Sequence, residues 1–178
     1  TLSVLMAFIC SVGKVMRFID EVNIVVESGK GGDGCASFLR DRHTAFGGPN
    51  GGDGGRGGDV ILTATTRENT LSSLRGRHLW RANNGRPGMS RCCAGAKGDS
   101  LEIFVPVGTR IFDSDTDTIL ADLTIDEQQV VIAKGGRGGL GNVHFKTSTN
   151  RAPRKCTPGQ PSETLSLRLE LLVMADVG

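Results

Sequence analysis

The chain has no tyrosine, one tryptophan and seven phenylalanines among 178 residues, so aromatics are scarce, while hydrophobic content is ordinary at 38%. No apolar run approaches the length of a bilayer-crossing helix, which argues against a helical span. Five cysteines (Cys10, Cys35, Cys92, Cys93, Cys156) form no C-x-x-C pair, and no histidine is spaced to complete a zinc site. An odd, scattered set of this kind fits reduced thiols in a cytoplasm. The three histidines occur in no H-E-x-x-H, which suits surface or partner-contacting roles better than catalysis. Nor is there a G-x-x-x-x-G-K-[ST], because Lys30 and Lys97 are each followed by glycine. G-x-G-x-x-G does occur at Gly52–Gly57 and Gly136–Gly141. The first runs straight into a strand pattern and the second into a segment with three prolines, so neither has the following helix that a dinucleotide site needs. No Ser/His/Asp set or carboxylate pair stands out, and the expected catalytic and metal-ligand sets are both empty.

What the chain does have is glycine, 26 residues of it, about twice the usual share. Residues 48–59 read GPN GGD GGR GGD, with glycine at every first position. The same i, i+3 spacing returns at Gly29/Gly32, Gly31/Gly34, Gly85/Gly88, Gly95/Gly98 and Gly135/Gly138/Gly141. A polyproline II helix has about three residues per turn and no internal hydrogen bonds. The register therefore lines bare Cα atoms along one edge, where another backbone can lie. Four triplets are too few for collagen, and a Gly/Ser linker would not keep a triplet register between well-patterned strands. Gly48, Gly51, Gly54, Gly57, Gly135, Gly138 and Gly141 are accordingly expected to be structural glycines of a bundle of short struts.

Net charge is only +2, but its distribution is uneven. Residues 69–98 carry Arg75, Arg77, Arg81, Arg86, Arg91 and Lys97 with no carboxylate. Residues 128–162 carry Lys134, Arg137, Lys146, Arg151, Arg154 and Lys155, again with none. Both segments contain glycine triplets, so positive charge and exposed backbone N–H groups are presented together, an arrangement that suits an RNA phosphate backbone. A solvated basic face is the plain alternative.

Strand patterns cover Phe18–Val26, Asp59–Ala64, Leu101–Val107, Thr109–Phe112, Ile119–Leu123, Val130–Ala133 and the alternating leucines from Leu165 to Leu171. One short helical turn or two is expected around Asn69–Leu74. The chain length suits one domain with a core of ordinary size. The predicted fold class is mainly β: a small antiparallel barrel or sandwich from which the glycine struts project. Because the strand pattern opens at Met16, residues 1–15 are expected to lie outside the fold, as upstream read-through, appended residues or a weakly ordered leader. The short apolar run there lacks the basic start and the cleavage pattern of a signal peptide.

Several motifs together resemble a known family. They are Phe18-Ile-Asp-Glu-Val, Gly31-Gly-Asp-Gly-Cys-Ala-Ser-Phe, Gly47-Gly-Pro-Asn-Gly-Gly-Asp-Gly-Gly and Val105-Pro-Val-Gly-Thr. Further along come Ala133-Lys-Gly-Gly-Arg-Gly-Gly-Leu-Gly-Asn, Phe145-Lys-Thr-Ser-Thr-Asn-Arg-Ala-Pro-Arg and Ala175-Asp-Val-Gly. The chain resembles the N-terminal domain of Obg-family GTPases from Met16 onward. The resemblance implies the Obg fold, six glycine-rich polyproline II strands on an eight-stranded barrel, over residues 16–174. It implies that residues 175–178 begin a Ras-like GTPase domain, and that GTP or GDP and Mg belong there, with no cofactor in this segment and no hydrolysis by it alone. It further implies a cytoplasmic, monomeric domain without a membrane span, bound to the large ribosomal subunit through rRNA and ribosomal proteins. Its role would be subunit assembly, with a link to stress signalling through guanine nucleotides. Candidate rRNA-phosphate contacts are Lys30, Arg86, Arg91, Lys97, Arg137, His144, Lys146, Arg151 and Arg154.

The chain departs from the family pattern at Leu39, Asp41, His43 and Phe46, where basic and aromatic residues are usual, at Ser162, and at the Cys92-Cys93 pair. Two other function classes compete with the ribosomal reading: a protein-interaction module for a signalling partner, and an enzyme using the glycine loops as a phosphate cradle.

Overall fold

The structure, a computed structural model, describes residues 18–40 and 47–173. The expectations for residues 1–15 and 175–178, and for Asp41, His43 and Phe46, lie outside the described residues. Eight strands follow one another as β1 (Phe18–Glu27), β2 (Val60–Thr65), β3 (Leu79–Arg81), β4 (Leu101–Pro106), β5 (Thr109–Asp113), β6 (Ile119–Leu123), β7 (Gln129–Ala133) and β8 (Thr164–Val173). Alternation sets their faces. Leu167, Leu169 and Leu171 of β8 point inward beside Val22, Ile24 and Val26 of β1, and meet Val60, Leu62 and Ala64 of β2 and Ile103 and Val105 of β4 in one aliphatic core. The short helix expected around Asn69–Leu74 is a single 3-10 turn, Ser72–Leu74, whose Leu74 is buried in that core.

The mainly β class holds, with two differences from the expected architecture. The strands form a five-stranded sheet in the order β3-β1-β8-β5-β6 and a three-stranded sheet in the order β4-β2-β7, with no ladder joining them among the described residues. The core is thus enclosed between two sheets and the barrel is not closed. Nor is the pairing purely antiparallel: β1 and β3 are parallel, as are β2 and β4. Parallel neighbours need long crossovers. Here the glycine loops supply them.

Three long loops fold into six extended struts, each continuous with a strand: residues 28–35 after β1, 51–59 before β2, 82–89 after β3, 94–100 before β4, 134–142 after β7, and 157–163 before β8. We number these struts 1 to 6. Their hydrogen bonds recur every third residue. Gly29, Gly32 and Cys35 of strut 1 donate N–H bonds to the carbonyls of Gly58, Gly55 and Gly52 of strut 2, at 2.8–3.0 Å. Ser28, Gly31 and Gly34 donate to Glu163, Gln160 and Thr157 of strut 6 at 2.9–3.0 Å. The same period recurs in the other contacts, which is the repeat of a polyproline II helix. Strut 1 touches struts 2, 3, 5 and 6, and strut 2 touches struts 1, 3, 4 and 5, so these two form the centre of the bundle.

The strand pairings run on into the struts. The antiparallel register of β1 with β8 continues through Ser28–Glu163 to Gly34–Thr157. Parallel β1 and β3 lead into struts 1 and 3, where Gly85 and Gly88 donate to the Lys30 and Asp33 carbonyls at 2.8 and 2.9 Å. Strut packing therefore fixes which strands become parallel neighbours, and the bundle stands on the sheets as their direct extension.

Candidate nucleic-acid interface

Backbone crowding in the bundle is severe. A Cβ built on Gly51 would fall on the Cys35 carbonyl oxygen, one on Gly54 on that of Gly32, and one on Gly57 on that of Gly29. Gly135, Gly138 and Gly141 face the carbonyls of Gly57, Gly54 and Gly51 in the same way. Gly48 differs from the expectation made for it, because a Cβ there meets nothing within 4 Å. Its position belongs to the loop-1 hairpin, where Phe38 bridges Pro49, and the close packing of strut 2 starts only beyond it.

The third position of the triplets has its own task. Asp33, Asp53 and Asp59 accept the backbone N–H groups of Gly159, Gly141 and Gly135 at 2.8, 2.7 and 2.7 Å, satisfying donors that the three-residue period leaves over. For Asp33 and Asp53 the bond favours the ionised carboxylate. Asp33 is held below the usual carboxylate range chiefly by the Gly159 N–H, with the Lys30 ammonium adding to it. Asp53 is lowered chiefly by the Gly141 N–H, burial acting against it, with His144 assisting.

The struts end in a tip built from the turns of all three loops. Asn142, fully buried, ties it together: its Oδ1 accepts the Gly51 N–H at 2.8 Å, while its Nδ2 donates to the Ser37 carbonyl at 2.8 Å and the Pro153 carbonyl at 3.1 Å. One side chain thus joins loop 1, strut 2 and the long turn of loop 3. Beside it lies a cleft walled by Phe38 and Leu39 and ringed by Arg40, Lys146, Arg151 and Arg154. No carboxylate lines this cleft among the described residues. A neighbouring cleft is formed by Cys92, Val143 and His144 over the backbone of Gly51 and Gly52. Its turn carries two consecutive left-handed residues, Arg91 (φ 62°) and Cys92 (φ 57°), which project Arg91 from the tip. Four-cation convergence around an apolar wall offers an anion-binding edge and a contact face for a planar group.

The family model described as GTP1/OBG matches residues 19–173, taking in all six struts and nearly all of the eight strands. The chain belongs to the GTP1/OBG family. The matched region is the N-terminal, Obg-type domain associated with the GTPases of that family.

Within this Obg-type domain, the nine expected phosphate contacts fall into three groups. Lys146, Arg151 and Arg154 come together in the tip cleft. Arg91 and His144 belong to the adjoining turn and cleft, although His144 is tethered, with Nε2 2.9 Å from Asp53 Oδ2. The remaining four lie away from the tip. Arg137 lines a separate cleft near the sheets with Arg56, Lys134 and Glu163, and Arg86 and Lys97 are exposed along struts 3 and 4. Lys30 is paired with Asp33 at 3.5 Å. Sequence reasoning missed Arg40, the fourth cation of the tip cleft, and Asn142, which positions it. Arg40 falls in the stretch that departs from the family pattern. For Asn142 the only signal is a polar residue following a glycine register, and that does not reveal its three partners.

Proposed function

We propose that this Obg-type domain binds rRNA of the large ribosomal subunit through the strut tip, as part of a GTPase acting in subunit assembly, with a link to stress signalling. The observation that carries the reading is the tip cleft, where Arg40, Lys146, Arg151 and Arg154 converge without a lining carboxylate among the described residues. In a chain whose net charge is only +2, such segregation concentrates a local field that a polyanion would feel. The bundle supports it, because strut hydrogen bonds hold the tip at a fixed place relative to the sheets.

In this reading GTP or GDP and Mg bind in the GTPase domain, this domain performs no chemistry of its own, and it works as a monomer in the cytoplasm. Among the described residues no helix is long and apolar enough to cross a membrane. The test is co-sedimentation with isolated large subunits across a salt series, comparing the unaltered chain with Arg151→Glu/Arg154→Glu. Salt-sensitive binding that the double variant abolishes is the expected result. Binding that ignores both salt and the double variant would move the domain to the protein-interaction class.

A further inference from the structure

The tip is cationic, but it is also unusually apolar for a surface that meets only phosphate. Leu39 is 45% exposed, Met89 57%, Leu140 43% and Val143 37%, and these residues belong to the ends of three different loops. Three of the four are within a few residues of a cation or histidine at the tip: Leu39 of Arg40, Met89 of Arg91, and Val143 of His144 and Lys146. In the main cleft the pattern is sharper, since Phe38 and Leu39 line it together with Arg40, Lys146, Arg151 and Arg154. The backbone there is fixed by the Phe38–Pro49 bridge and by the Leu39 N–H bond to the Gly48 carbonyl at 2.9 Å.

A protein that follows an RNA duplex needs cations and polar groups along the phosphates and 2′-hydroxyls, and gains nothing from exposed leucines. Unpaired nucleotides differ: their bases have free faces that stack on aromatic and apolar side chains while cations take the backbone. We propose that the tip cleft binds an unpaired, unstacked nucleotide of RNA, its base against Phe38 and Leu39 and its flanking phosphates on Arg40, Lys146, Arg151 and Arg154. This inference rests on the RNA-binding reading above and gives it a specificity, for loops and single strands over helices. Among the described residues Phe145 is the other aromatic close to the cleft in sequence, and its ring already carries a cation, with the Lys155 ammonium 5.5 Å from its centroid.

The test measures binding of the full chain to a short mixed-sequence single-stranded RNA carrying 2-aminopurine, and to the same strand annealed to its complement, each across a salt series. Single strands are expected to bind roughly tenfold or more tightly at equal salt, the scale of one stacked base, with 2-aminopurine fluorescence changing on binding. Leu39→Ser, at an exposed position, is expected to lower single-strand affinity several-fold without changing the salt slope, and to leave duplex affinity unaltered. Equal affinity for both RNAs, or a Leu39→Ser variant indistinguishable from the unaltered chain, overturns the base-pocket inference while leaving the rRNA reading intact. Absence of salt-sensitive binding to either RNA and to large subunits overturns the rRNA reading itself.

Discussion

At Gly54 the direction in which a side chain would leave the backbone is filled by the Gly32 carbonyl of strut 1, and on the far side strut 5 brings Gly138 against the Gly54 carbonyl. Backbone cannot move aside as a flexible side chain can, because each strut is bonded to its neighbours every third residue. Gly54→Ala is therefore expected to lower stability by about 1–3 kcal/mol, the cost of overpacking a filled interior. Gly48→Ala is the matched control, since the space around Gly48 is open. It is expected to change stability by less than about 0.5 kcal/mol. Urea denaturation of the two variants checks both, and equal midpoints would show that the triplet register does not determine the packing. The pair also marks what the sequence alone could not resolve. Periodicity identifies a line of glycines, but only the neighbouring strut shows where along that line the close contact begins.

Among the elements, the struts were the most legible, because a period of three with glycine admits few other arrangements. Most strands were legible from alternation. β3 was not: Leu79–Arg81 is three residues long, and it is a strand because it lies parallel to β1, with Val25 donating to the His78 carbonyl at 2.7 Å. Such a contact leaves no local pattern. The parallel pairs escaped for a related reason, since adjacency in sequence suggests hairpins and gives no hint that paired struts act as crossovers. The triplet aspartates, by contrast, look like ordinary solvent-facing charges in sequence, and in the fold they are inter-strut acceptors. Asp33 and Asp53 have carboxyls lowered relative to the ordinary aspartate near about 3.9. Their contribution is fully present above that ordinary value and is lost as pH falls through the lower folded values, because the unfolded chain takes up protons first. Stability measured by urea denaturation is thus expected to drop as pH is lowered below about 4. Asp53→Asn keeps an oxygen able to accept from Gly141 but cannot titrate, so its acid loss should be shallower. An acid profile identical to that of the unaltered chain would mean that the strut-to-strut carboxylate bond contributes nothing.

For the whole molecule, the question is which basic face meets RNA, and charge along the sequence did not separate the candidates. It grouped Arg137 with Arg151 in one acid-free segment, yet the fold puts Arg137 near the sheets beside Arg56 and Lys134, and puts Arg151 at the tip. Salt dependence distinguishes them, because each phosphate contact on a single strand adds roughly 0.7 to the magnitude of the slope of log affinity against log salt. If the tip carries the interaction, Arg151→Glu/Arg154→Glu should weaken binding and flatten that slope by roughly 0.7 for each contact removed. Arg67→Glu, just beyond the end of β2 that points away from the struts, should leave affinity and slope nearly unchanged. Arg137→Glu decides how far the footprint extends. A slope unchanged by Arg137→Glu confines the contact to the tip, whereas a flattening of roughly 0.7, the share of one contact, means that RNA lies along struts 5 and 6 toward the sheets. A slope altered only by Arg137→Glu would remove the tip from the interface and with it the reason for the convergence of cations there to matter in binding.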